Sequence, residues 1–414
     1  MSDSVPAEAS LPDELMPRGW ARVRALIAKG VQIPNPLAVD IGDDVAVERI
    51  SGDGVVIHPG CRIHGAKTVL SAGVVLGQEG PVTLQDCRLG PNVALKGGYA
   101  AKAVFLDGAN LGLGHHVREG CLLEEESGGA HCVGLKQTIL LPFVTLGSLI
   151  NFCDALMAGG TSRRDHSEVG SSYIHFNFTP SGDKTTPSMF GDVPRGVMLR
   201  ERPIFLGGQG GAVGPVRVAY GAVVAAGSIL RSDIPQENSL TVVGGMTSMS
   251  QPFEPEGYRG LNILVAKNLH YLANLDALEQ WYRHVRQPFF AAVPLGDLVY
   301  EGALEMLAAA RAERVARLRA LAAKLPGENA AQVTFAAQVE AVGAGFGTSS
   351  VPPDPVLVDR LSGEARRGVP YLSAVQALDA ADVARGTAWL AAVVEDRYAA
   401  ATALLPAVAR LPRR

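Results

Sequence analysis

A period of six constrains this chain more than any other feature. In "IHPGCRIHGAKTVLSAGVVLG", residues 57–77, aliphatic side chains fall at Ile57, Ile63, Val69 and Val75. A helix repeats near 3.6 and a strand at 2, so neither alone produces six. The spacing returns at Leu89 and Leu95, at Leu111, Val117 and Leu123, and at Val218 and Val224. Short fixed-period repeats mark a solenoid. Each hexad supplies one short strand and one turn, with an aliphatic residue inward and Gly, Ala, Ser, Asn or Asp at the corner. Three flat sides close one coil. Stacked coils pair each strand with the strand one coil on, and inward residues form columns. A β-sandwich with accidental spacing is the competing reading, and four consecutive hexads argue against it.

The texture changes along the chain. Residues 1–30 hold a short amphipathic segment, "ELMPRGWARVRALIAKG", that ends at Gly30 as helices do. Residues 31–253 carry the hexads and predict the solenoid domain. From residue 259 to 414, Ala, Leu, Arg and Glu dominate, and apolar residues at i, i+3, i+4 and i+7 predict an α-helical domain. "QPFEPEGYRG" reads as the linker before it. The fold class is therefore mainly β plus α: a parallel β-helix followed by helices. Trp281, Tyr282, His284 and Arg286 form an aromatic stripe in the helical part, suited to packing or to capping a ligand cleft.

Several classes of function are excluded at this stage. A net charge of −4 gives no general pull toward nucleic acid or an anionic membrane. No run of 18 apolar residues predicts a membrane span. The first twenty residues have no apolar core of a signal peptide. Five cysteines without a CxxC spacing read as reduced thiols, and the expected location is cytoplasmic. His115 and His116 are adjacent and would face opposite sides of a strand, so no metal site is expected there.

The hexads, with "VREGCLLEEESGGAHCVGLKQT", "LGSLINFCDA", "FNFTPSGDKT" and "IFLGGQGGAVGPVRVAYGAVVAAGSILRSDI", resemble the hexapeptide-repeat transferases. Within them the resemblance is to the acetyltransferase half of the GlmU enzymes, from about Gly30 to Ile234. It implies a left-handed parallel β-helix of about nine to twelve coils. It also implies a homotrimer with sites between subunits, and acetyl-CoA or another acyl-CoA as donor. The acceptor would be a sugar phosphate or nucleotide sugar of UDP-N-acetylglucosamine metabolism. The nucleotide loop of the family's uridyltransferase half has no counterpart in residues 1–56, so uridyl transfer is not expected.

Matched motif to motif, Arg118 and Lys136 fall where the family holds phosphate, and two cations suit a dianion. Asn177 and Lys184 fall in the loop that reaches the acceptor. Ala226 falls near the acetyl-CoA groove, and Gly208 and Arg231 join it as cofactor-binding candidates. Gly208 and its neighbouring glycines read as β-helix corners rather than a phosphate loop, since no Gly-Lys-Ser/Thr follows. Two departures bear on catalysis. Ser148 stands where the family has its general-base histidine, and a hydroxyl is no base near neutral pH. Asn151 replaces a substrate-contacting tyrosine. An insertion, "MAGGTSRRDHSE", brings His166, with Asp165 to orient it, as a replacement base. His175, which faces opposite to Ile174 and Phe176, is the second candidate. Two readings stay open: an acyltransferase with a displaced base, or a nucleotide-sugar-binding or scaffold trimer that has lost it.

Overall fold

The computed structural model describes residues 16–178, 184–245, 248, 250, 252 and 260–407. Its hexads wind into a left-handed parallel β-helix, preceded by the helix Trp20–Lys29. One side of the β-helix is a parallel sheet of ten strands, from Val56–Ile57 to Leu240–Thr241. The other two sides merge into one sheet of sixteen strands. They merge because two long strands, Val133–Leu140 and Ile150–Met157, run round the corner between them. Coil spacing follows three hexads: Asn110 pairs with Gly128, eighteen positions on.

The three sides differ in what covers them. On the ten-stranded side, inward Ile57, Leu76, Leu95 and Leu111 are buried, and their outward neighbours are half-buried. A second side is open: in Ile174–Phe176 the outer two residues are exposed and His175 between them is buried. The remaining side is buried on both faces, at Val69–Leu70, Arg88–Leu89, Ala103–Phe105 and Cys121–Leu123. This corrects the first hexad frame. Val69 pairs with Arg88, which faces the helical domain, so Leu70 and not Val69 points inward. The frame slips by one there, and Val75 lies half-exposed while Leu76 is buried.

The helical domain covers that third side. Helix Leu261–Trp281 packs on Gly296–Ala322 and on Ala380–Ala403. Gly296–Ala322 lies directly on the β-helix, where a Cβ at Gly302 would come within 3.0 Å of Val104 Cγ2. Charged groups anchor the seam. Arg88 donates to the Leu298 carbonyl (2.5 Å) and to Glu305 (2.7 Å). Lys267 reaches Asp233 (2.7 Å). Arg286 lies between Glu124, at 3.2 Å, and Glu125, and Tyr282 donates to Glu124 (2.6 Å). Trp281 donates to the Tyr371 hydroxyl (2.8 Å). Tyr282 and Arg286 of the aromatic stripe thus join the domain to the β-helix, while Trp281 and His284 pack within the domain beside Trp389. Among the described residues no helix is long and apolar enough to cross a membrane.

One guanidinium facing two buried carboxylates leaves an excess of negative charge in the seam. Burial pushes Glu124 up to about 7; Arg286 offsets this in part, and Glu125 adds to it. From its ordinary value of 4.5, the folded state therefore holds a proton that the unfolded chain releases. Stability from this group is present below about pH 4.5 and is lost as pH rises through about 7. Thermal unfolding across that window should show wild type losing stability relative to Glu124→Gln. Parallel curves for the two proteins would contradict the assignment.

Candidate active site

The open side carries most of the predicted ligand residues. Parallel pairing puts Val117 beside Leu135 and Lys136 beside Cys153, so Arg118, Lys136 and Cys153 form one outward column. Tyr99, His116, Gly134, Asn151 and Ile174 form the next. Arg118 and Lys136 meet at Glu119, whose carboxylate lies 3.0 Å from Lys136 Nζ and 3.7 Å from the Arg118 guanidinium. Partial burial pushes the Glu119 carboxyl up, but the Lys136 ammonium, with Arg118, holds it below its ordinary range. Gly134 leaves a recess in the second column. A Cβ there would meet only the Ile150 carbonyl oxygen, at 3.5 Å. With strands about 4.8 Å apart, His116 and Asn151 lie on the two strands that flank this recess, their backbones about 10 Å apart. His116 stacks on Tyr99, with ring centroids 5.1 Å apart.

Asn177 sits where the open side turns toward the helical domain. Its Nδ2 donates to Asp154 Oδ2 (2.8 Å), and its Oδ1 accepts from the Thr186 hydroxyl (2.8 Å). Asp154 Oδ1 accepts from Arg314 (2.5 Å). Lys184 is exposed, with φ 55°, and residues 179–183 of its loop lie outside the described residues. Asn151 is exposed, and its Oδ1 accepts from the Cys153 thiol (3.2 Å). Burial pushes that thiol up to about 11, so Cys153 is no thiolate nucleophile at neutral pH.

Ser148, Gly208 and Ala226 follow the opposite edge of the open side. The Ser148 carbonyl accepts from Ser172 N (2.8 Å), Ser171 O from Gln209 N (2.7 Å), and Gly208 O from Gly227 N (2.9 Å). Stacking explains Gly208, since a Cβ would come within 2.8 Å of the Ser171 carbonyl oxygen. Ala226 is exposed beside it. Arg231 is exposed and borders a cavity of about 290 Å³ with Gly227 and Ile229.

Neither histidine predicted as the base joins this group. His166 lies in a hairpin, Gly160–Ser162 with Asp165–His166, inserted between the third side and the ten-stranded side, at the corner away from Arg118 and Lys136. Its Nδ1 faces the Arg163 carbonyl (3.0 Å), and Asp165 accepts from Thr161 (2.8 Å) instead of orienting it. His175 does face opposite to Ile174 and Phe176, but its direction is inward. It is 3% exposed, bonded to the Ser188 hydroxyl (2.7 Å) and flanked by Phe152 and Phe190. Burial pushes it down to about 4. It is a neutral core histidine without access to a substrate on the open side. His64 faces outward on the same side three coils earlier, and His116, next to Gly134, shares the face of Arg118, Lys136 and Asn151 directly. Strand alternation carried this signal, since Val117 is an inward hexad residue and its neighbours must point outward. Among the described residues no three His, Cys, Asp or Glu side chains gather as a metal site.

Sequence comparison finds relatives over about half of the chain. The bifunctional protein GlmU of Thermotoga sp. (strain RQ2) is 26% identical over 215 residues, covering 52% of this chain and 42% of that protein. The protein of the same name from Stenotrophomonas maltophilia (strain K279a) is 28% identical over 221 residues, covering 53% and 43%. The β-helix resembles the acetyltransferase half of GlmU. The chain spans about two fifths of the length of these GlmU relatives. No family model matches it. Among solved structures, a UDP-N-acetylglucosamine acyltransferase from Campylobacter jejuni covers 50% of this chain and 67% of that one, at 13% identity and a TM-score of 0.17.

The Glu119 bridge makes the cation pair testable. A phosphate entering between Arg118 and Lys136 must displace that carboxylate. Calorimetry with glucosamine 1-phosphate should show Arg118→Ala and Lys136→Ala each weakening binding by about 1.5–3 kcal/mol, the scale of a hydrogen bond to a charged group. Glu119→Gln should strengthen it. Equal affinity in all four proteins would remove these residues from the site.

Proposed function

We propose that this protein is a GlmU-like acyltransferase, moving an acyl group from acyl-CoA to the amine of an amino-sugar phosphate or nucleotide sugar. The observation that carries this reading is the meeting of Arg118 and Lys136 on adjacent coils, beside the recess over Gly134. Phosphate would lie between the two cations. The sugar would lie over Gly134, with Asn151 and Asn177 as hydrogen-bond partners and Lys184 at the loop. The donor would follow the edge through Gly208 and Ala226, with Arg231 near its phosphates. No metal is needed for this chemistry.

The amine nitrogen attacks the thioester carbonyl, a carbon–nitrogen bond forms, and the carbon–sulfur bond breaks to release CoA. The proton leaving the amine needs a base. Ser148 cannot supply it, and His175 and His166 face elsewhere within the chain. His116, exposed on the rim of the recess, is the group we assign to the task. Leu149, Ile174 and Phe176 are exposed on the same open side. Their exposure supports a homotrimer in which the open side meets a neighbouring copy.

Thiol release from acetyl-CoA, with a panel of amino-sugar phosphates, tests this reading. His116→Ala should lower kcat by roughly 10²–10⁴-fold, the usual contribution of a general base. The acceptor KM should change little. Unchanged kcat would exclude His116 as the base. Binding of UDP-N-acetylglucosamine without thiol release from any acyl-CoA would replace the enzyme by a nucleotide-sugar binder.

A further inference from the structure

We infer that the C-terminal helical domain completes the acceptor site. Arg314, on helix Gly296–Ala322, is a positioning residue that fixes the carboxamide of Asn177 through Asp154. The inference rests on the acceptor role proposed for Asn177 above.

The chain of contacts is short and largely sealed. The Arg314 side chain is 2% exposed, and its Nη2 donates to Asp154 Oδ1 at 2.5 Å. Asp154 is buried at a left-handed corner, φ 55°, and its Oδ2 accepts from Asn177 Nδ2 at 2.8 Å. Buried Thr186 donates to Asn177 Oδ1 at 2.8 Å. A free asparagine amide on a loop turns over a broad, roughly two-fold torsion. Here it cannot. An ionised carboxylate only accepts, so the amino end of Asn177 must face Asp154 and its oxygen must face Thr186. One N–H remains on the exposed residue, held in one direction. The site therefore presents a fixed donor, suited to a sugar hydroxyl, carbonyl or phosphate oxygen.

Arg314 differs from the other cations of the seam. Arg88, Lys267 and Arg286 hold carboxylates whose bonds stay within the seam. The carboxylate that Arg314 holds uses its second oxygen to orient a predicted ligand residue on the open side. The guanidinium fixes the rotation of Asp154 and touches no ligand itself.

The test separates this role from simple docking of the helical domain. Arg314→Met leaves a buried carboxylate unpaired, which by itself destabilises the fold. The double variant Arg314→Met with Asp154→Asn removes both charges. An amide at position 154 offers either a donor or an acceptor to Asn177, so orientation is lost while neutrality is kept. With the full-length protein, the double variant should melt near wild type, bind acetyl-CoA as wild type does, and bind glucosamine 1-phosphate about tenfold more weakly, the scale of one hydrogen bond. Arg314→Lys, which keeps the cation, should retain most of the affinity. A double variant that binds glucosamine 1-phosphate like wild type, while Asn177→Ala binds it weakly, overturns the inference alone. Asn177→Ala binding like wild type overturns the acceptor role of Asn177, and the inference falls with it. Should the double variant not fold, Arg314→Gln with Asp154→Asn, which keeps a buried polar pair without charge, takes its place; the same loss is expected, and unchanged affinity overturns the inference.

Discussion

Stacking of coils in register is the constraint on which the rest depends. Eighteen residues bring the chain back to the same side, so Arg118 must lie beside Lys136 just as Asn110 lies beside Gly128. Sequence distance becomes adjacency, and two cations that a random coil would scatter are held one strand apart. Where a coil needs more chain, the surplus leaves at a corner. The step from Thr145 to Glu168 carries the hairpin with His166, and the step from Glu168 to Phe205 carries Asn177 and Lys184. Inward columns tolerate no such surplus, because each inward residue is packed above and below by its own repeat.

Burial of charge fixes how the helical domain meets this scaffold. Arg88, Lys267, Arg286 and Arg314 each find a partner across the seam. Such pairs add little net stability once desolvation is counted, but a shifted docking would leave several unpaired charges buried, at several kcal/mol each. The domain therefore has one position available. It covers one side of the β-helix and leaves the side with the recess open. That division of surfaces makes a ligand site compatible with a heavily packed helical domain.

Much of this was legible in the sequence and some was not, for identifiable reasons. The coil could be read because inward columns demand aliphatic residues at fixed spacing. Its phase at Val69 could not, because the helical domain makes outward positions apolar as well, and hydrophobicity then no longer distinguishes inside from outside. For His175, alternation gave the relation to Ile174 and Phe176 but not its sign; a β-helix interior accepts an imidazole when Ser188 bonds it and two phenylalanines flank it. The same alternation, applied from Val117, assigns His116 to the outer face. Arg314 had no signal at all, since it meets Asp154 across 160 residues and belongs to a different periodicity.

The most direct test of the central claim is a crystal structure of the full chain with glucosamine 1-phosphate. The expected result is phosphate between Arg118 and Lys136, with Glu119 displaced from Lys136 and the sugar over Gly134 between His116 and Asn151. Phosphate bound away from the open side, with the Glu119–Lys136 pair intact, would contradict it.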